Sequence, residues 1–225
     1  MILGLDTATA GTAVAVWAAG GPAVQRRDDP PAGQRPGHAG RLLALVEEAL
    51  GAAGAGWDDI ERIAVGTGPG GFTGLRIGIA TARALAQARD LPIIGVSSLA
   101  ALAAGARAAD DAAVDGGAAP VLAVIDARRG EVFAAAAGRI EPVAIAPDLL
   151  AARIEPGWLA VGDGAVRFRA ELERAGAVIP ADGSPVHRVS ALQVCRLGAV
   201  GEPADRDALL PDYRREPDAK PPRLP

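Results

Sequence analysis

One pattern occurs twice along this 225-residue chain, and it limits the architecture more than any other feature. Residues 2–20, ILGLDTATAGTAVAVWAAG, read as an apolar strand, an aspartate, a short polar loop, a second apolar strand and a glycine. Residues 121–138, VLAVIDARRGEVFAAAAG, repeat that order. Asp6 and Asp126 end the first strand of each copy, 120 positions apart (126 minus 6). Short polar loops between apolar strands make hairpins. The repetition predicts two related halves: a domain over residues 1–98 and a smaller one over 99–225, ending in a frayed, proline-rich tail, EPDAKPPRLP.

The segments between the copies extend this reading. PAVQRRD (Pro22–Asp28) adds a third strand, and DDPPAGQRPG breaks into a loop. HAGRLLALVEEALGAA (38–53) is helical, because Leu42, Val46, Ala49, Leu50 and Ala53 fall on one face. ERIAVG then reads as a strand, LRIGIATARALAQA as a helix and PIIGVSS as a strand. A strand meander followed by alternation predicts an α/β fold, a mixed sheet with helices on its faces. After a loop at 108–120, WLAVGDGAVRFRAELERAG supplies strand, turn and helix, and SALQVCRLGAV a last helix. Half the residues are hydrophobic but only 3% are aromatic, so small side chains must fill the interior by close packing.

The charge is slightly acidic, −4, with a pI of about 5.3. Arginines supply nearly all the cations, and they form no basic run of the kind that phosphate contacts need. No apolar stretch reaches the roughly 18 residues of a membrane span, and the start MILGLDTATAG has no signal-peptide pattern. A reducing cytoplasm is the expected compartment. The single cysteine, Cys195, falls in an apolar helix and reads as core packing.

Residues 66–78, GTGPGGFTGLRIG, pose the main functional question. Gly66, Gly68 and Gly71 match the dinucleotide fingerprint, but the next strand ends in Ser97 and Ser98 instead of the acid that binds a ribose. A phosphate-binding P-loop fails too, since Leu75 and Arg76 stand where Lys and Ser/Thr are required. A mechanical role remains. Gly74, Gly78, Ala82 and Ala86 recur every four residues and leave one side of the helix nearly bare. Such a stripe lets a second backbone approach, either within the fold or across a subunit interface.

The same stretch closely resembles the glycine-rich signature of the TsaB family, partner proteins in bacterial threonylcarbamoyladenosine synthesis. LDTATAGTAVAV (5–16), DARRGEVF (126–133) and LLPDYRRE (209–216) resemble further segments of that family, in the same order. Gly71, Ala8 and Ala39 stand where the family commonly has Ser. The resemblance implies two RNase H-like halves of the actin-like ATPase superfamily. It implies a scaffold without catalytic residues of its own, binding a TsaD-like subunit that transfers threonylcarbamoyl to adenosine in the tRNA anticodon loop. A TsaE-like ATPase is an expected third component, and a homodimer is expected when the partner is absent; tRNA is met only through the complex, and no membrane or cofactor is involved. The expected docking face contains Gly70, Phe72, Thr73, Gly74, Leu75, Gly78, Ala82 and Ala86, with His38 and Leu42 from the preceding helix.

Other chemistries fit the residues less well. TsaD-like enzymes hold a metal through H-x-x-x-H, whereas His38 and His187 lie in different halves with no such spacing. Asp6, Thr7, Thr9, Thr12 and Asp126 form a possible vestigial phosphate loop, but Arg128 and Arg129 would obstruct a backbone cradle. The rival reading is an ATP-dependent small-molecule phosphotransferase; a tRNA-binding module is a third, disfavoured by the acidic balance.

Overall fold

The computed structural model describes residues 1–31, 33–110 and 119–215. Its first half runs β1 (Ile2–Asp6), β2 (Thr12–Trp17), β3 (Ala23–Asp28), α1 (His38–Ala53), β4 (Arg62–Gly68), α2 (Phe72–Arg89), β5 (Ile93–Ser97) and α3 (Ser98–Asp110). The second runs β6 (Val121–Arg128), β7 (Glu131–Ala136), β8 (Ile140–Ile145), α4 (Pro147–Ala151), β9 (Leu159–Val161), α5 (Asp163–Arg167), α6 (Arg169–Arg174) and α7 (Ala191–Val200). Most of the expected low-complexity connector and the whole expected tail lie outside the described residues.

Both halves use one strand plan. The first sheet is ordered β3-β2-β1-β4-β5 and the second β8-β7-β6-β9. Each begins with an antiparallel meander, and its first strand then pairs in parallel with the strand reached through a helix, β1 with β4 and β6 with β9. The repeated pattern implied two related halves and the family resemblance implied that they are RNase H-like; the two sheets share this strand plan. Three elements carried no clear sequence signal. Pro142 argues against a strand, yet β8 is an edge strand, where a missing N–H is tolerated. Short α4 and alanine-rich α3 take their order from packing.

Period-two alternation sends successive side chains of each strand to opposite faces. Leu3 and Leu5 of β1, with Val14 and Val16 of β2, meet Leu42, Leu45 and Val46 of α1 and Ile79, Ala82 and Ala86 of α2 on the outer face of the first sheet. Ile2, Ala13 and Ala15 point the other way, into a core shared with Leu99 and Leu102 of α3, Val194 and Cys195 of α7, and Ala123 and Ile125 of β6. Leu122 and Val124 turn outward again, toward Leu150 and Leu172 of α4 and α6. The expected division between residues 98 and 99 falls at the β5–α3 junction, but the sheet before it takes its inner cover from α7, nearly one hundred residues later. Gly4 makes that cover possible: a Cβ there would lie 2.5 Å from Cys195 Sγ and 2.7 Å from the Ala191 carbonyl oxygen.

The stripe on α2 has its partner in this same chain. Gly74, Gly78, Ala82 and Ala86 are all buried. A Cβ on Gly74 would strike the Thr7 carbonyl oxygen, and one on Gly78 the Thr7 hydroxyl. The expectation that this stripe docks another protein is therefore corrected: Gly74 and Gly78 admit the β1–β2 turn, and Ala82 and Ala86 pack into the core against the first sheet. Gly→Ala normally stabilises a helix by about 1 kcal/mol, and Gly51 of α1 has open space around its Cβ position. Gly51→Ala should raise the melting temperature, whereas Gly78→Ala should lower it by an overpacking cost of about 1–3 kcal/mol. Thermal unfolding of the two variants checks this, and equal signs would refute the packing assignment.

Candidate functional site

Residues 6–12, at the end of β1 and into β2, gather contacts from four other elements. Asp6 Oδ1 accepts the Ala8 backbone N–H at 3.0 Å, and Oδ2 accepts the Ser98 hydroxyl at 2.7 Å. Any Cβ on Gly66 of β4 would fall on Asp6 Oδ2, which explains the first glycine of the signature. Burial pushes the Asp6 pKa up, opposed by the hydrogen bonds from Ser98 and Ala8. Thr7 Oγ1 donates to the Gly74 carbonyl at 2.8 Å. Thr12 Oγ1 lies 2.8 Å from His38 Nδ1, and burial lowers the His38 pKa. The Gly71 N–H donates to the Ala8 carbonyl at 2.7 Å, while a Cβ on Gly70 would strike that same oxygen. The glycine run is thus a backbone-to-backbone seat for the turn.

This geometry changes the expected phosphate loop. Asp6, Thr7 and Thr12 are fully buried and spend their side chains within the chain; Thr9 is half-buried. A carboxyl held between Ser98 and the Ala8 amide is not presented to a phosphate-bound cation. Among the described residues no group of three or more His, Cys, Asp and Glu side chains is arranged to hold a metal ion. Cys195 packs at 0% exposure with its thiol pushed up to about 12 by burial, which removes its nucleophilic form at neutral pH.

The expected docking residues divide the same way. Gly74, Leu75, Gly78, Ala82, Ala86, His38 and Leu42 are buried inside the fold, so they are corrected to internal packing. Gly70 is half-buried; Phe72, at 52% exposure, and Thr73 face solvent. Leu43, beside buried Leu42, is 55% exposed because one step around a helix turns a side chain by about 100°. α1 and α2 pack side by side, with Ala39, Leu43, Arg76 and Ala80 also outward.

The C-terminal segment adds to this surface, a contribution hidden at the sequence level. Leu209 is buried against Gly95, and the Asp212 N–H donates to the Thr67 carbonyl at 2.8 Å. Tyr213 then stacks on Phe72, ring centroids 5.4 Å apart, and accepts a 2.8 Å hydrogen bond from Arg76 Nε. The Arg76 guanidinium sits 3.8 Å from the Phe72 ring centroid. The quoted LLPDYRRE segment was the available signal, but its destination was not.

The second hairpin has a different chemistry. The Asp126 N–H donates to Asp163 Oδ1 at 3.0 Å, and Asp126 Oδ1 accepts the Arg128 N–H at 2.9 Å. Asp126 Oδ2 takes Arg167 Nη1 at 2.9 Å and Arg128 Nη1 at 3.2 Å. Arg128 and Arg129 adopt left-handed backbone, φ 66° and 54°, at roughly 1–2 kcal/mol each for a side chain other than Gly or Asn. His187 Nδ1 accepts the Gly162 N–H at 3.1 Å while Nε2 lies 3.1 Å from the Pro180 carbonyl, an arrangement that fits the neutral ring protonated at Nε2.

The TsaB protein of Escherichia coli, a tRNA threonylcarbamoyladenosine biosynthesis protein, is 37% identical over 175 residues, 72% of this chain and 71% of its own length. The chain belongs to the TsaB family. An uncharacterised Mycobacterium tuberculosis protein is 35% identical across 98% of this chain and 94% of its own. YeaZ from Pseudomonas aeruginosa superposes with a TM-score of 0.73 at 31% identity, covering 94% of this chain and 98% of that one. The family described as TsaD, tRNA N6-adenosine threonylcarbamoyltransferase, matches residues 31–151. TsaB membership accounts for the order of the four quoted segments. No helix among the described residues is long and apolar enough to cross a membrane.

Burial, more than the neighbouring Asp126 charge, raises the Asp163 pKa from 3.8 to about 6. A carboxyl with a raised folded-state pKa contributes stability that is complete below the unfolded value and fades as pH rises through the folded one. Asp163→Asn removes this dependence. The stability of the variant relative to the parent should therefore climb between pH 4 and 6 and level off above pH 7. Paired denaturant titrations measure the difference, and a flat difference would contradict the burial assigned to Asp163.

Proposed function

We propose that this chain is the non-catalytic partner of a TsaD-like subunit, required for threonylcarbamoyl transfer to adenosine in the anticodon loop of tRNA. A TsaE-like ATPase completes the assembly, the chain meets tRNA within the complex, and it pairs with a second copy when the TsaD-like subunit is absent. The observation that carries this reading is the inward bonding of Asp6, Thr7, Thr12 and His38 in a chain of the TsaB family. A phosphotransferase of the actin-like superfamily needs that turn open to phosphate.

Docking uses the outward faces of α1 and α2, where Leu43, Phe72 and Tyr213 are large apolar groups standing in solvent. Aromatic and arginine side chains concentrate binding energy in interfaces, and Phe72, Arg76 and Tyr213 are already stacked together. Covering this face shifts the partner toward its competent conformation only through contacts that differ between the partner's two states.

Leu42 and Leu43 provide the test, being neighbours on opposite sides of one helix. Leu43→Glu should leave thermal stability within about 0.5 kcal/mol and abolish co-purification with the TsaD-like subunit, together with tRNA modification in a reconstituted assay. Leu42→Ala should lower stability by about 2–5 kcal/mol instead. Normal association of the Leu43→Glu chain would sink the docking assignment.

A further inference from the structure

Arg76 of α2 is exposed and carries its charge on the outward side of the helix. Helical side chains lean toward the N-terminus, and its guanidinium reaches back over Phe72, the first residue of α2, 3.8 Å from the ring centroid. It lies 5.9 Å from the Tyr213 centroid, and Nε donates to the Tyr213 hydroxyl at 2.8 Å. That bond takes one of the five N–H groups of a guanidinium. Two other arginines of these helices are ion-paired within the chain, Arg41 with Asp28 and Glu48, and Arg83 with Asp207. Among the described residues no carboxylate pairs with Arg76; two aromatic side chains hold it instead.

The support beneath this charge reaches into both halves. The Ala204 N–H donates to the Ile93 carbonyl at 2.9 Å, Leu209 fills the space over Gly95, and the Asp212 N–H donates to the Thr67 carbonyl at 2.8 Å. One residue beyond Tyr213, Arg214 Nη1 donates to the Pro142 carbonyl of β8 at 3.2 Å. Tyr213 is thus anchored to the first sheet on one side and to the second on the other. An arginine already stacked and bonded gives up less rotamer freedom when it binds. Ala39, Leu43 and Ala80 share the outward faces of α1 and α2 with Arg76, so a partner covering these faces takes water away from the guanidinium. A charge stripped of water is costly unless an opposite charge meets it.

We propose that Arg76 receives a carboxylate of the TsaD-like subunit, with Phe72 and Tyr213 as the residues that position its guanidinium. The inference rests on the docking reading and adds the chemistry of the surface that fits this face: apolar, with an Asp or Glu side chain opposite Arg76. The planar fork donates to both oxygens of a carboxylate, which gives direction to a contact that is otherwise apolar.

Affinity of the full chain for the TsaD-like subunit is measured by calorimetry, with thermal unfolding of each variant alongside. Arg76→Met keeps an unbranched stem over Phe72 and removes the charge; it should weaken association about thirtyfold or more. Arg76→Glu sets like charges against each other and should weaken it further. Tyr213→Phe keeps the stacked ring but removes the acceptor of Nε, for a loss of about three- to tenfold. Arg174→Ala, on α6, removes a charge elsewhere and should bind as the parent does. Arg76 and Tyr213 are exposed, so their variants should melt with the parent. Equal losses for Arg76→Met and Arg76→Glu, or a smaller loss for the glutamate, would show a packing role and overturn the carboxylate assignment. Parental affinity in both would overturn it as well, and the docking reading would stand as long as Leu43→Glu still fails to associate. If the Arg76 variants and Leu43→Glu all bind as the parent does, or the parent chain does not bind, both readings fall together.

Discussion

The close approach of the first β-turn to the N-terminal half of α2 holds the rest of this fold in place. The Ala8 and Thr7 carbonyl oxygens lie against Gly70 and Gly74, and the Thr7 side chain lies against Gly78. From that contact the neighbouring residues reach three helices and a strand. Thr12 meets His38 at the start of α1, Asp6 takes the hydroxyl of Ser98 at the start of α3, and Gly66 of β4 leaves room for the Asp6 carboxyl. A larger residue at any of these glycines would push several elements apart together, because packed interiors have little free volume to absorb a methyl group.

The two hairpins show how one backbone plan takes opposite chemical roles. The first has small residues and turns its polar groups inward, so it acts as a structural hub. The second, with arginines at its turn and a buried aspartate under them, faces solvent. This division fits a protein that works through its surfaces. Under the proposed docking role the partner meets the exposed faces of α1 and α2, where Tyr213 completes an aromatic and cationic cluster with Phe72 and Arg76.

Much of the fold was legible because periodicity reports one-sided burial directly. The helix at 38–53 is seen over those same residues, and the meander strands follow their apolar alternation. The helix after the glycine run begins at Phe72, three residues before its apolar pattern starts, since the first turn takes its order from the Ala8 carbonyl and not from hydrophobicity. The candidate site was legible only in part. Spacing singled out the bare stripe of α2, but a stripe of small residues has the same appearance whether its partner is the chain's own turn or another protein.

By itself, the amino-acid sequence determined the element types, the duplication of the hairpin and the kinship with TsaB proteins, because these depend on local periodicity and on the order of short segments. Only the tertiary structure decided which face of α2 is sealed, that α7 covers the first sheet, and that Arg128 and Arg167 share one buried carboxylate. Those outcomes depend on contacts between residues tens to nearly two hundred positions apart. Such contacts follow from where a face points once layers have packed, and no local pattern encodes that.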